Sequence, residues 1–346
     1  MKEVFSEFTF DSGDRLTEVP VEYETWGELN EARDNVLLVC HALTGSARVD
    51  DWWGDLLGPG RALDTDRYLV LSANVPGSCY GTVGPTTINP ATGERYGPEF
   101  PQVTIRDMVR LHRRLLDRLD IRGVAAAIGG SMGGMQVLEW AFYGNFVRKL
   151  IPMGVGGRHS SWCIGWSEAQ RQAIYADPKW QGGHYDPDDP PEAGLAAARM
   201  SAMISYRSRE SFEDRFGRER MTPTNGQEPP FAVESYLRYQ GEKIVNRFDA
   251  NSYVRLTQAM DTHDVSAGRG IYEEVLRSID QPTLVVGTDS DVLYPLAEQQ
   301  ELAEYMPHAE LAVLESPHGH DAFLIETEYL NSVIPTWIQE QASCPA

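Results

Sequence analysis

The chain has 346 residues, enough for one large domain or for a core that carries a substantial insertion. A net charge of −21 disfavours nucleic acid or an anionic membrane as partner, and no apolar run approaches the roughly 20 residues that span a bilayer. The opening MKEVFSEFTF is not a signal peptide, and Cys40, Cys79, Cys163 and Cys344 lack C-x-x-C spacing, so a soluble cytoplasmic protein without a zinc ribbon or disulfide framework is expected.

Near the N-terminus VPVEYETWGELN alternates, with Val19, Val21 and Tyr23 on one face, as a half-buried antiparallel strand does. NVLLVCHALTGSA and RYLVLSANVPGS are continuous apolar runs that end in polar, glycine-containing loops, the pattern of buried parallel strands, with Cys40 as a core residue. TIRDMVRLHRRLLDRLDI reads as a surface helix containing His112, opened by Thr104 and Asp107 as a cap pair. VAAAIGG, Val124 to Gly130, is a short buried strand, and MQVLEWAFYGN continues as an amphipathic helix with Val137, Trp140 and Ala141 on one face. KLIPMGVGG adds a strand. From 157 to 280 the segments SEAQRQAIYA, EAGLAAARMSAMISY, ESYLRYQGEKIVNRF and NSYVRLTQAM are helical, separated by polar loops such as HYDPDDPPE and MTPTNGQEPP. The acidic HYDPDDPPE lacks the ligand spacing of a calcium loop and reads as solvated surface. QPTLVVGTDSD and ELAVLESPHGHDAFL return to strands, and YLNSVIPTWIQEQ closes the chain as a helix. The alternation predicts an α/β fold: a mostly parallel sheet flanked by helices, with residues 1–156 and 281–346 as core and 157–280 as a helical lid.

Between the strand VAAAIGG and its helix stands GGSMGG, with Ser131 as its only hydroxyl. A serine at such a turn can simply cap the helix, but a strand-to-helix turn of form G-x-S-x-G is also the sharp elbow that exposes a nucleophile. A serine hydroxyl is a weak nucleophile until a histidine held by a carboxylate accepts its proton. In elbow folds the order along the chain is Ser, then Asp or Glu, then His, each on a loop after a later strand. Two loops here qualify, each with two choices: Asp289 or Asp291, and His318 or His320. Oxyanion donors are expected from the N–H of Met132 and from the HALTG loop at Leu43, with His41 a structural loop residue. Such a set supports acyl transfer or ester hydrolysis, and disfavours a non-catalytic binding protein on a hydrolase-like scaffold.

Longer motifs narrow the choice. HALTGSA, GSCYGTVGPTTINPATGERYG, FPQVTIRDMV, GGSMGGMQVLEWA, ARMSAMISYRS, ESYLRYQGEKIVNRFDANSYVRLTQAMD, SDVLYP and SPHGHDAFL together resemble the homoserine O-acetyltransferases of the α/β-hydrolase fold, enzymes of methionine biosynthesis. The resemblance runs over nearly the whole chain. It implies Asp291, just before LYP, as the acid and His320, within G-H-D, as the base. It further implies a ping-pong reaction in which Ser131 takes acetyl from acetyl-CoA and passes it to the hydroxyl of L-homoserine, with acetyl-CoA a co-substrate and no bound cofactor or metal. Arg199, Tyr206 and Asp321 match the residues that bind the amino-acid acceptor in that family, where a guanidinium fits a carboxylate and an aspartate an ammonium. Family members commonly dimerise through the lid. The residues themselves do not separate acetyl from succinyl donors, homoserine from serine acceptors, or transfer from hydrolysis by an esterase.

Overall fold

The computed structural model describes residues 1–222 and 229–340; Cys344 and the middle of MTPTNGQEPP lie outside the described residues. Eight strands form one sheet: β1 (Lys2–Thr9), β2 (Arg15–Trp26), β3 (Val36–Cys40), β4 (Leu69–Ala73), β5 (Val124–Gly130), β6 (Leu150–Met153), β7 (Thr283–Thr288) and β8 (Ala309–Leu314). Their spatial order is β1-β2-β4-β3-β5-β6-β7-β8. β2 runs antiparallel to β1 and β4, and from β4 through β8 every pairing is parallel. The helices are α1 (Asp50–Trp53), α2 (Ile105–Arg118), α3 (Met132–Trp140), α4 (Ser161–Tyr175), α5 (Glu192–Ser205), α6 (Arg209–Phe216), α7 (Ala232–Val245), α8 (Ala250–Asp261), α9 (Tyr272–Arg277), α10 (Leu296–Tyr305), α11 (Ala322–Ile325) and α12 (Thr327–Glu340).

The period-two geometry of a strand divides the core between the two faces of the sheet. From β3, Val36, Leu38 and Cys40 pack with α2 and α3, whereas Leu37 and Val39 pack on the other side with Trp53 and with Leu330, Ile334 and Trp337 of α12. β3, β5, β6 and β7 are buried at every residue, which explains their uninterrupted apolar sequences. Thr104 caps α2 as expected: its hydroxyl accepts from Asp107 N–H, and the Asp107 carboxylate accepts from Thr104 N–H in return.

Several expectations change. His112 lies in α2 but not on its surface; its ring is buried, with Nε2 3.3 Å from the Asn74 carbonyl, because the helix turns that face toward the sheet. The helix after Ser131 is not amphipathic: all nine residues of α3 are buried, since it is sandwiched between the sheet and α2. It ends at Trp140, and Ala141–Phe146 forms a tight turn broken at Gly144, whose φ is 56°. β1, α1, α6, α9, α10 and α11 were not read from the sequence. Between β6 and β7 the chain passes through α4 to α9, with isolated bridges Arg158 to Asp264 and Arg220 to Phe231. Among the described residues no group of three or more His, Cys, Asp or Glu side chains converges as a metal site.

Candidate active site

Ser131 joins β5 to α3 at φ 58° and ψ −127°, a left-handed backbone that a residue with a Cβ seldom adopts. Glycines make the turn possible. A Cβ on Gly129 would come within 2.6 Å of the Cys40 carbonyl oxygen, and one on Gly133 within 2.1 Å of the same atom. The strand and helix therefore approach at backbone contact, and the strained residue between them carries its side chain outward. Its N–H donates to Met153 O at 2.9 Å, but its hydroxyl does not cap α3. The simple capping account of this serine thus fails, and the hydroxyl faces a cavity of about 180 Å³ that is also lined by His320.

His320 follows β8, on a short turn before α11. Its Nδ1–H donates to Asp291 Oδ2 at 2.7 Å, and the other Asp291 oxygen accepts from the N–H groups of Leu293 and Tyr294 at 2.8 and 2.9 Å. The carboxylate is fixed, so the imidazole keeps its proton on Nδ1. Nε2 is buried and has no hydrogen-bond partner among the described residues. Burial alone would depress the His320 pKa; the charge and hydrogen bond of Asp291, with a contribution from Asp321, outweigh it and hold the value above the usual 6.5. Tyr294 and Phe323 flank the ring, with centroids 5.1 and 5.5 Å away. The alternative residues lie elsewhere. His318 is half-buried, its Nδ1 3.3 Å from Nη1 of Arg207, and Asp289 is exposed and accepts from Ser316 N–H at 3.1 Å.

The N–H groups of Leu43 and Met132 have no hydrogen-bond acceptor among the described residues. Leu43 lines the Ser131 cavity, and Met132 opens α3, where the first amides lack intrahelical partners. His41 is buried beneath this loop. Its Nδ1–H donates to Ala42 O at 2.9 Å while Nε2 accepts from Val75 N–H at 3.2 Å, and burial pushes its pKa down to about 4, so it stays neutral.

Arg199, Tyr206 and Asp321 line the same cavity as Ser131 and His320. The Arg199 guanidinium lies 5.5 Å from the centroid of the Tyr206 ring and pairs with no carboxylate among the described residues. Asp321 does have a partner, one that sequence reasoning missed. Nε of Arg207 sits 3.1 Å from Asp321 Oδ2, an ion-pair distance at an angle too poor for a hydrogen bond. Burial pushes the Asp321 pKa up, and the charges of Arg207, His320 and Arg199 offset this only in part. The only hint in the sequence was position: Arg207 directly follows Tyr206 in ARMSAMISYRS.

A serine on a strained strand-to-helix turn, with an Asp–His pair on later loops of a mostly parallel sheet, defines the α/β-hydrolase class, and the model of the alpha/beta hydrolase fold matches residues 35–327. Over 334 residues, 95% of this chain and 94% of the relative, the sequence is 62% identical to a homoserine O-acetyltransferase of Salinibacter ruber. The crystal structure of homoserine O-acetyltransferase from Bacillus anthracis superposes with a TM-score of 0.89 at 26% identity, covering 98% of this chain and 96% of that one. Esterase E22 is similar too, with a TM-score of 0.88 and 29% identity over 98% of this chain and 99% of its own. The chain belongs to the homoserine O-acetyltransferase family within the alpha/beta hydrolases.

Proposed function

We propose that the protein transfers the acetyl group of acetyl-CoA to the hydroxyl of L-homoserine through an acyl-Ser131 intermediate. The observation that carries this reading is the shared cavity, where a nucleophile and base stand beside a guanidinium that pairs with no carboxylate among the described residues. Ser131 Oγ attacks the thioester carbonyl as His320 Nε2 takes its proton; the C–S bond then breaks, and the proton leaves with the CoA thiol. In the second half, His320 takes the proton of the homoserine hydroxyl, whose oxygen attacks the acetyl-serine, and the proton returns to Ser131 Oγ. Asp291 keeps the imidazole in the required tautomer. The amides of Leu43 and Met132 stabilise the oxyanion in both halves.

Homoserine places its carboxylate on Arg199 and its ammonium on Asp321, with Tyr206 adding a hydroxyl contact. Arg207 leaves Asp321 one free oxygen, enough for an ammonium. Residues 157–280 act as the lid that keeps water from the acyl-enzyme, which would otherwise hydrolyse. The reading extends to a homodimer through that lid and to a cytoplasmic setting. Free thiol and acyl-Ser131 should be followed with acetyl-CoA or succinyl-CoA, with and without homoserine or serine. Acetyl-CoA with homoserine should give sustained turnover. Thiol release at the same rate without an acceptor would make the protein an esterase-like hydrolase, and preference for succinyl-CoA or serine would change donor or acceptor.

A further inference from the structure

The loop that carries Leu43 is anchored to the core at both ends but not at its tip. His41 is pinned by Ala42 and Val75; beyond the tip, Ala47 N–H donates to Asn74 Oδ1 at 2.7 Å and Trp52 Nε1–H to Ser46 O at 3.0 Å. Between them Gly45 N–H donates to Ala42 O at 2.9 Å, which closes a turn with Leu43 and Thr44 at its corners. The hydrogen bonds to Thr44 come from the helical segment, through Arg247, which lines the same cavity as Ser131. Arg247, between α7 and α8, donates through Nη1 to Thr44 O at 2.7 Å and through Nη2 to Thr44 Oγ1 at 3.2 Å.

Nη1 of the same guanidinium also donates to Tyr80 Oη at 2.7 Å. Tyr80 is tied back to the core, since its carbonyl accepts from Asn74 Nδ2 at 2.6 Å, and its ring meets Phe248 edge-on at 5.6 Å. Asn74, Tyr80, Arg247, Thr44 and Ala47 therefore close a ring of contacts around the tip of the loop. No carboxylate pairs with Arg247 among the described residues, although the chain has 51 acidic residues to offer. Its hydrogen bonds go to neutral oxygens. A planar fork of fixed donors suits that task, and a lysine ammonium cannot reproduce it.

We infer that Arg247 is a positioning residue for the oxyanion loop: from the helical segment it holds the Thr44 end of the turn, and so keeps the Leu43 N–H aimed at the site of charge development. The inference rests on the reading of Leu43 as an oxyanion donor. Both half-reactions pass through a tetrahedral oxyanion, so both must slow together when the loop is loosened, while binding of the acceptor is spared.

The test compares Arg247→Gln, Arg247→Lys and Tyr80→Phe with the unaltered enzyme. A p-nitrophenyl alkylphosphonate that labels Ser131 probes the oxyanion site without acetyl-CoA or homoserine. Arg247→Gln should slow phosphonylation and the CoA burst by a common factor of roughly 10 to 100, less than the loss of a whole oxyanion donor. KM for homoserine should change by less than about twofold, since uniform binding is untouched. Arg247→Lys should fall between, and Tyr80→Phe should lose about threefold, since its hydroxyl acts on the loop only by bracing the guanidinium, which keeps both bonds to Thr44. Unchanged phosphonylation with a raised KM for acetyl-CoA or homoserine would assign Arg247 to substrate binding and overturn the inference. So would a loss that disappears once rates are corrected for the folded fraction from a thermal melt. Should the unaltered enzyme form no acetyl-Ser131, the proposed function fails by itself, and phosphonylation still tests the loop.

Discussion

At the residue scale, the buried pair His320 and Asp291 makes the sharpest demands. Removing the imidazole by His320→Ala should lower acyl transfer by roughly four orders of magnitude, whereas His318→Ala, which loses only a contact to Arg207, should stay within about threefold. Steady-state assays that rank the two the other way would move the base out of the turn after β8. The pH profile follows from the sign of the shift. As the proposed base His320 would act only when neutral, and its pKa is held above 6.5, so kcat/KM should rise with pH through that raised value and then level. Asp291→Asn removes the two largest influences that raise it and leaves burial, which lowers it, opposed only by the charge of Asp321. The acidic limb should therefore shift to lower pH even as the plateau falls. A limb that stays in place in Asp291→Asn would mean that another group controls it.

At the scale of elements, the approach of β5 to α3 depends on the glycines of the elbow, as their place in the motif implied, and contact distances show how tight it is. Gly133→Ala puts a methyl 2.1 Å from the Cys40 carbonyl oxygen, a backbone atom of β3 that has no rotamer to change. Urea unfolding should show a loss of about 3 kcal/mol or more. Gly165→Ala is the matched control: it lies in the exposed interior of α4 with nothing within 4 Å, and should stabilise the chain by about 0.5–1 kcal/mol. Equal losses at both positions would indicate that the tight elbow is not the cause. α5 presents Arg199 to the cavity, and Arg199→Ala should leave the single CoA burst intact while turnover with homoserine falls by roughly two to three orders of magnitude. A lost burst with normal use of homoserine would send the acceptor site elsewhere.

For the whole molecule, charge is the governing quantity. The 51 acidic against 30 basic residues leave a repulsion spread along the chain, and four lysines among the basic residues leave arginine to make most of the ion pairs. Those pairs are largely exposed, as with Arg48 and Asp51 or Arg238 and Glu234, and contribute little each. Screening shortens repulsion from about 10 Å at 0.1 M salt to about 3 Å at 1 M. The thermal midpoint should therefore rise as KCl is raised from about 0.05 M to about 1 M. A midpoint highest at low ionic strength would show that the ion pairs outweigh the net repulsion.

Much of this fold could be read along the chain, because buried parallel strands leave no polar face and each ends in a loop with punctuating glycines. The serine elbow and the Ser, Asp, His order were likewise local or sequential properties. β1 was not legible: as an edge strand it is exposed at Lys2, Val4, Ser6 and Thr9 and lacks a clean alternation. The surroundings of His112 and α3 were missed because burial on every side depends on layers that sequence does not place. The choice between His318 and His320 came only from resemblance, two residues apart in a turn where side chains point different ways. Tertiary structure alone paired Arg207 with Asp321 and brought Arg247 to Thr44, 203 positions away in sequence. Periodicity and motif report what a residue does to its neighbours in the chain, whereas an ion pair or a strut across a cavity exists only once the sheet and the helical segment have closed around it.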